Sequence, residues 1–245
     1  SPWDMVLWPF QTMREIEVLA PSRADTASLE LPSEWIDQLK VLNPRFVVPS
    51  SCQFTQEPWS WYRHRFSPIS YAQFQQEVEQ ALPEARVVRL NPSVSVVVDE
   101  NSLELAAPLP WVTPVGQQDV DYRYDGSVAP PHTSEIARHF PAITPDETKL
   151  VLDYCRKGLL EKYKEMELPE DSFFENARVW RLSVYDHNGE KAEFHYQVEG
   201  DTIALLDGPA APLAWTTEVP AAKLYAALTQ GEALTSMYMR INDTV

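Results

Sequence analysis

The sequence predicts a layered α/β unit followed by a C-terminal α+β unit. Three observations lead there. Between residues 34 and 98, helical and strand-like stretches alternate, the order that builds a layered sheet. Beyond about residue 170, strand-like runs dominate, with one short helical stretch near the end. Between the two, residues 105–141 are dense in proline (PLPWVTP, VAPPH), which disfavours helix and central strand and reads as a semi-rigid surface connector. The implied domains are 1–105, a connector with a bridging helix over 106–168, and an α+β domain over 169–245.

Each element has a local cause. DMVLWPF, from Asp4 to Phe10, reads as a buried strand closed by Pro9, and residues 20–33 as an irregular loop. Ser33 is expected to cap a helix, EWIDQLKVLN, in which Trp35, Ile36, Leu39 and Leu42 fall on one stripe, and Asn43-Pro44 ends it. Phe46, Val47 and Val48 form a buried strand that Pro49 is expected to stop, because proline lacks a ladder donor. Ser70 with Gln73 forms a capping box for a helix to about Leu82, with Phe74, Val78 and Leu82 on its buried face. RVVRL at 86–90 and VSVVV at 94–98 are strands. Thr144-Pro145-Asp146-Glu147 starts a long helix to about Glu167, suited to bridging two domains. Strands follow at 178–186, 191–198 and 202–206, with a hairpin turn at Asp186-His187-Asn188-Gly189. LAWTTEV is a further strand, PAAKLYAALTQ a helix ended by Gly231, and SMYMRIN at 236–242 a last strand.

Composition narrows function by exclusion. The chain of 245 residues suffices for one large or two medium domains, and its eight tryptophans argue against disorder. Twenty Lys plus Arg against thirty-six Asp plus Glu give a net charge of −16, a poor match to phosphate backbones or anionic membranes. No apolar run reaches the ~18 residues of a membrane span. SPWDMVLWPF has no basic segment before its apolar residues, as a signal peptide would, and it lacks an initiator Met; a processed, trimmed or partial chain is expected. Cys52 and Cys155 make neither a disulfide framework nor a four-thiolate zinc site, which suits a reducing cytoplasmic setting. With seven glycines and neither GxGxxG nor GxxxxGK, the usual nucleotide-binding folds are excluded.

The candidate site follows the strand at 45–49. In open α/β sheets chemistry collects outside the carboxyl ends of strands, and there stand Ser50, Ser51 and Cys52. An aromatic cluster follows, with Phe54, Trp59, Trp61, Tyr62 and Phe66 beside the basic trio Arg63, His64 and Arg65. Ser51 and Cys52 are the candidate nucleophile or ligand positions, with His64 as the candidate catalytic partner that the loop can fold back to meet them. Trp59, Trp61 and Tyr62 are the candidate substrate-binding wall; the same rings can equally pack the loop onto the core. His132 and His139 flank Glu135, and Asp4, Glu15 and Glu17 lie near the first strand, but no metal-binding motif such as His-x-His or Cys-x-x-Cys occurs and no metal ligand is assigned.

The order DMVLWPF, loop, PSEWIDQLKVLNP, FVVPSSCQF and RVVRLNPSVSVVV resembles the C-terminal half of a metallo-β-lactamase-fold hydrolase, nearest to the lactonase and N-acyl-phospholipase-like branch. The resemblance implies half of a layered αββα fold over residues 4–98 and, in an intact parent, zinc- or iron-assisted hydrolysis with a metal-bound water as nucleophile. In that family the strand ends in Pro-x-His, the histidine being the last metal ligand; here Ser51 stands at the histidine position. The family's His-x-His-x-Asp-His motif belongs to the other half and is absent from this sequence, so this chain alone is expected to carry no cofactor. Either the catalytic half is a separate or removed piece, or the chain is a degenerate relative.

Residues 170–245 resemble a sterol-carrier-like domain, which some hydrolases of that fold carry after a helical connector. In such domains an apolar tunnel takes lipid-like ligands; Trp215, Leu224, Tyr225, Leu228 and Met237 would line one, or fill a core. Two further readings stand beside the hydrolase: a non-catalytic module binding an apolar or lipid-like ligand, and an assembly domain, as a homo-oligomer or with a missing N-terminal half, because half a sandwich exposes a sheet face.

Overall fold

The computed structural model describes residues 3–10, 14–50, 55–65, 67–99, 102–113, 120–167, 172–234 and 238–242. It is a mixed α/β protein whose chain divides into two compact units, Ser1–Arg14 with Asp25–Ala129, and Glu15–Ala24 with Pro130–Val245. These contacts divide the proline-dense stretch, leaving residues up to Ala129 with the first unit.

The first unit holds β1 (Met5–Pro9), α2 (Ser33–Leu42), β2 (Phe46–Ser50), α3 (Tyr62–Arg65), α4 (Tyr71–Ala81), β3 (Arg86–Val87), β4 (Ser95–Val98) and β5 (Leu103–Ala106); α1 (Glu15–Leu19) follows β1 in sequence but counts with the second unit. β1, β2 and β3 form a parallel sheet in that order, with α2 and α4 as the crossovers that parallel strands require. Its core joins Trp8 and Val47 from the strands, Leu39 from α2, and Phe74 and Val78 from α4. Ser70 caps α4, its hydroxyl accepting the Gln73 N–H at 3.1 Å. The Gln73 amide does not complete a capping box; it turns instead to the Leu29 carbonyl and to Glu77.

Three expectations for this unit need correction. Ser33 does not cap α2: it is the helix's first residue, behind Pro32, and no side-chain cap bond forms. Pro49 does not stop β2: it pairs with Trp8 of β1, and the strand runs on to Ser50. β3 has already ended by that point, at the partner of Val47, so the missing N–H of Pro49 deprives no neighbour. Of the strand expected over 86–90, only Arg86 and Val87 pair, as β3. Val87 donates its N–H to the Glu79 carboxylate at 3.0 Å, and Ser93 takes a left-handed conformation (φ 67°) that turns the chain. Beyond it β4 pairs antiparallel with β5 in a separate two-stranded sheet.

The second unit contains α1, α5 (Thr133–Ala137), α6 (Pro145–Asp153), α7 (Leu159–Lys164), α8 (Ala221–Gln230) and a five-stranded sheet of β6 (Arg178–Tyr185), β7 (Lys191–Glu199), β8 (Thr202–Leu206), β9 (Leu213–Pro220) and β10 (Arg240–Asn242). Strand order is β10-β9-β6-β7-β8, antiparallel except for the β6–β9 pair. The β6–β7 hairpin closes as its turn residues dictate: Asp186 accepts the N–H groups of Asn188 and Glu190, and Gly189 supplies the positive φ of 80°. One sheet face, with Leu182, Val184, Phe194 and Val219, packs with Val151, Cys155 and Leu224 into a single apolar cluster.

The helix expected over 144–167 starts as its capping box predicts, with Thr144 accepting the Glu147 N–H and the Glu147 carboxylate accepting that of Thr144. It is not uniform: a π-helical turn over Tyr154–Gly158 separates α6 from α7. There the fully buried Tyr196 of β7 donates its hydroxyl to the Cys155 carbonyl at 2.6 Å, taking a backbone acceptor out of the regular ladder. Burial pushes the Cys155 thiol up to about 12, so the thiolate does not form near neutral pH and this cysteine is a packing residue. Tyr196→Phe keeps the ring and leaves that carbonyl short of its donor; the expected loss is roughly 1–2 kcal/mol in urea unfolding followed by circular dichroism. Unchanged stability would mean that the hydroxyl does not support the π turn.

Candidate functional site

The parallel register of β1 and β2 sets where the site lies. Both strands run in the same direction, so Pro9 and Ser50 stand side by side at their carboxyl ends. Ser50 fastens that edge: its hydroxyl donates to the Trp8 carbonyl at 3.0 Å and its own carbonyl accepts the Phe10 N–H at 3.1 Å. The Phe10 ring then stacks on Tyr71, the first residue of α4, with centroids 4.5 Å apart. The amino end of α4 therefore sits at the same edge of the sheet, where open α/β folds place their ligands. Asp4 precedes β1 at the opposite edge, away from Ser50, and pairs with Arg45 at 2.8 Å; Glu15 and Glu17 lie in α1, which counts with the other unit.

Ser51 and Cys52 fall outside the described residues, as do Phe54 and Phe66. From Thr55 to Arg65 the chain forms a turn and the single helical turn α3. Ser60, itself buried, accepts the Tyr62 N–H at 3.3 Å, and Trp61 accepts that of His64 at 3.0 Å. Of the three wall residues, Trp61 is 5% and Tyr62 1% exposed, whereas Trp59 is half-buried. Trp61 and Tyr62 lie against each other, centroids 5.5 Å apart, and present little surface to solvent. His64 is half-buried and accepts a hydrogen bond at Nε2 from Arg63 Nε at 3.2 Å, which engages the lone pair a general base would use.

Residues from a distant part of the sequence fix this loop. Tyr122 accepts the Gln56 N–H on its hydroxyl at 3.0 Å, and the Asp125 N–H donates to the His64 carbonyl at 2.6 Å. Arg65 donates to the carbonyls of Gly126 and Val128, at 2.5 and 3.3 Å, with its guanidinium 5.8 Å from the Tyr124 ring centroid. Asp121 accepts the first N–H groups of α4, from Tyr71 at 2.7 Å and Ala72 at 3.1 Å, where the positive helix end favours a carboxylate. Asp125 closes its own turn: the Ser127 hydroxyl and N–H hold its carboxyl below the usual carboxylate range. Sequence reasoning placed 121–128 in a surface connector; no local pattern signals contacts that span 49 to 66 residues.

The other four histidines lie in the second unit, His139 just past α5 with its N–H on the Ile136 carbonyl at 3.1 Å. His132 leads into α5, where Glu135 accepts its N–H at 3.3 Å; His187 lies in the β6–β7 turn; His195 in β7 is opposite Arg181. Among the described residues, no group of three or more His, Cys, Asp or Glu can hold a metal ion, and no helix is long and apolar enough to cross a membrane. In the second unit Leu224 belongs to the apolar cluster, and Trp215, Tyr225 and Leu228 pack against it; Met237 lies outside the described residues.

No protein-family model matches the sequence, and no curated protein matches it. Among solved structures, the chain is similar to the MycE methyltransferase of the mycinamycin biosynthetic pathway, in two crystal forms with Mg and SAH, at 12% identity and a TM-score of 0.25. The match covers 38% of this chain and 27% or 25% of the methyltransferase, too slight a likeness to carry an argument.

The burial difference separates packing from contact within the wall. Trp61→Ala should cost about 3–5 kcal/mol in urea unfolding, as for a core aromatic. Trp59→Ala should cost about 1 kcal/mol or less. Equal costs would show that the two rings share one environment.

Proposed function

We propose that this chain is the C-terminal portion of a metallo-β-lactamase-like, metal-dependent hydrolase, supplying the rim of the substrate pocket and not the metal ligands. The single observation that carries the reading is the placement of the aromatic loop. It follows the carboxyl end of a buried parallel strand, beside the amino end of α4, and is tied down at both its ends. That edge is where a layered α/β hydrolase keeps its chemistry. Residues 1–105 would then be half of an αββα fold, followed by the bridging helices and a sterol-carrier-like domain.

In this reading Ser51 and Cys52 stand at the strand end where the family carries its last metal ligand. Trp59 is half-buried and is the ring of the three assigned to substrate contact; Trp61 and Tyr62 are buried against each other. The half-buried His64, oriented by Arg63, is a polar contact at the rim. The family's His-x-His-x-Asp-His motif belongs to the other half, so zinc or iron would rest on ligands from there, and no catalytic step is assigned to this chain. The two cysteines fit a reducing, cytoplasmic setting.

Reading the gene upstream of Ser1 tests the proposal. A His-x-His-x-Asp-His segment is expected in the same frame or in an adjoining gene for a companion chain. A complete gene and neighbourhood with no such segment would contradict it.

A further inference from the structure

Residues 121–128 hold the backbone of the aromatic loop and of the helix start that follows it. Tyr122 takes the N–H of Gln56, Asp125 gives its N–H to the carbonyl of His64, and Asp121 takes the N–H groups of Tyr71 and Ala72. The Arg65 side chain also reaches across, to the carbonyls of Gly126 and Val128. The loop is thus gripped at its start, middle and end. Within the loop, α3 is four residues long, and short-range bonds run around Ser60 and Trp61. An isolated helical turn of that length does not hold itself in water.

We infer that residues 121–128 are a latch that sets the shape of the pocket rim, with Asp121 and Tyr122 as its positioning residues. The grip on Gln56, His64, Tyr71 and Ala72 is on the backbone, so the positions of these residues are fixed from elsewhere in the chain. Asp121 has the strongest hold, a carboxylate accepting two N–H groups at a helix amino end. Tyr122 fixes the far end of the loop through a single hydroxyl. With both released, the backbone between Gln56 and Tyr71 keeps the Arg65 contacts and the Asp125–His64 bond, and Trp61 and Tyr62 lose their fixed seat. The functional meaning of the latch rests on the pocket-rim reading; its mechanical role does not.

Hydroxyl-radical footprinting with residue-resolved mass spectrometry tests the latch without substrate or metal. Asp121→Ala/Tyr122→Phe should raise oxidation of Trp61 and Tyr62 severalfold and leave Trp8 and Trp35, in the adjoining core, unchanged. Hydrogen exchange at the amides of Gln56, Tyr71 and Ala72 should quicken roughly tenfold or more, as expected when hydrogen bonds to a charged group are lost. Asp121→Asn with Tyr122 intact should restore most of the protection, because an amide oxygen still accepts there. Unchanged oxidation at Trp61 and Tyr62 would overturn the inference. So would an equal rise at Trp8 and Trp35, which marks general loosening of the unit. Failure of the hydrolase reading would leave all these outcomes where they are.

Discussion

The parallel pairing of β1 with β2 is the constraint on which the first unit depends. Five consecutive residue pairs, from Met5 with Phe46 to Pro9 with Ser50, bring both strands out at one edge. Parallel neighbours cannot be joined by a tight turn, so the chain must travel through α2 between them. They also have to be covered, which is why Phe46, Val47 and Val48 are apolar in succession and all buried. The route and the burial together decide that the loop after Ser50 begins beside Phe10 and returns beside Tyr71.

Order in that loop is imported. The chain is acidic overall, yet its few arginines are spent largely on carbonyl oxygens and ring faces. Arg65 holds Gly126, Val128 and Tyr124; Arg89 lies 3.9 Å from the Tyr71 ring centroid; in the second unit Arg178 donates to the Phe173 carbonyl and lies over its ring, and Arg138 donates to the Asn188 carbonyl. Such contacts fix irregular backbone, and they are less exposed to salt than pairs between surface charges. The carboxylates do the complementary work, taking backbone N–H groups: Asp121 at α4, Glu77 for Leu31 and Glu79 for Val87. A strongly negative chain thereby consumes part of its charge internally as hydrogen-bond acceptors.

What could be read in the sequence was whatever has a local cause. Ser70 and Thr144 cap the helices they precede, Gly231 ends α8 with a left-handed residue, and Asp186 to Gly189 form the hairpin turn, since each effect acts within a few residues. The site was legible as a place, because a strand end followed by aromatics has an address in the fold. Its working parts were not. That Trp61 and Tyr62 are buried while Trp59 is half-buried has no local signature, the bonds on the loop's backbone come from residues 49 to 66 positions away, and the grip of Asp121 on α4 duplicates a cap that Ser70 already supplies. The π turn escaped for the same reason: its partner, Tyr196, lies 41 residues beyond Cys155. Ser93, whose left-handed backbone helps set β4 and β5 apart as a sheet of their own, carries no glycine to announce it.

The central claim is that this polypeptide forms the edge of a pocket without the ions that would operate it. Anomalous diffraction at the zinc and iron edges, from crystals of this chain grown with either metal, measures that most directly. The account predicts no cation enclosed by side chains of one copy alone. One or two fully occupied cations, each with a complete set of ligands from this chain, would contradict it.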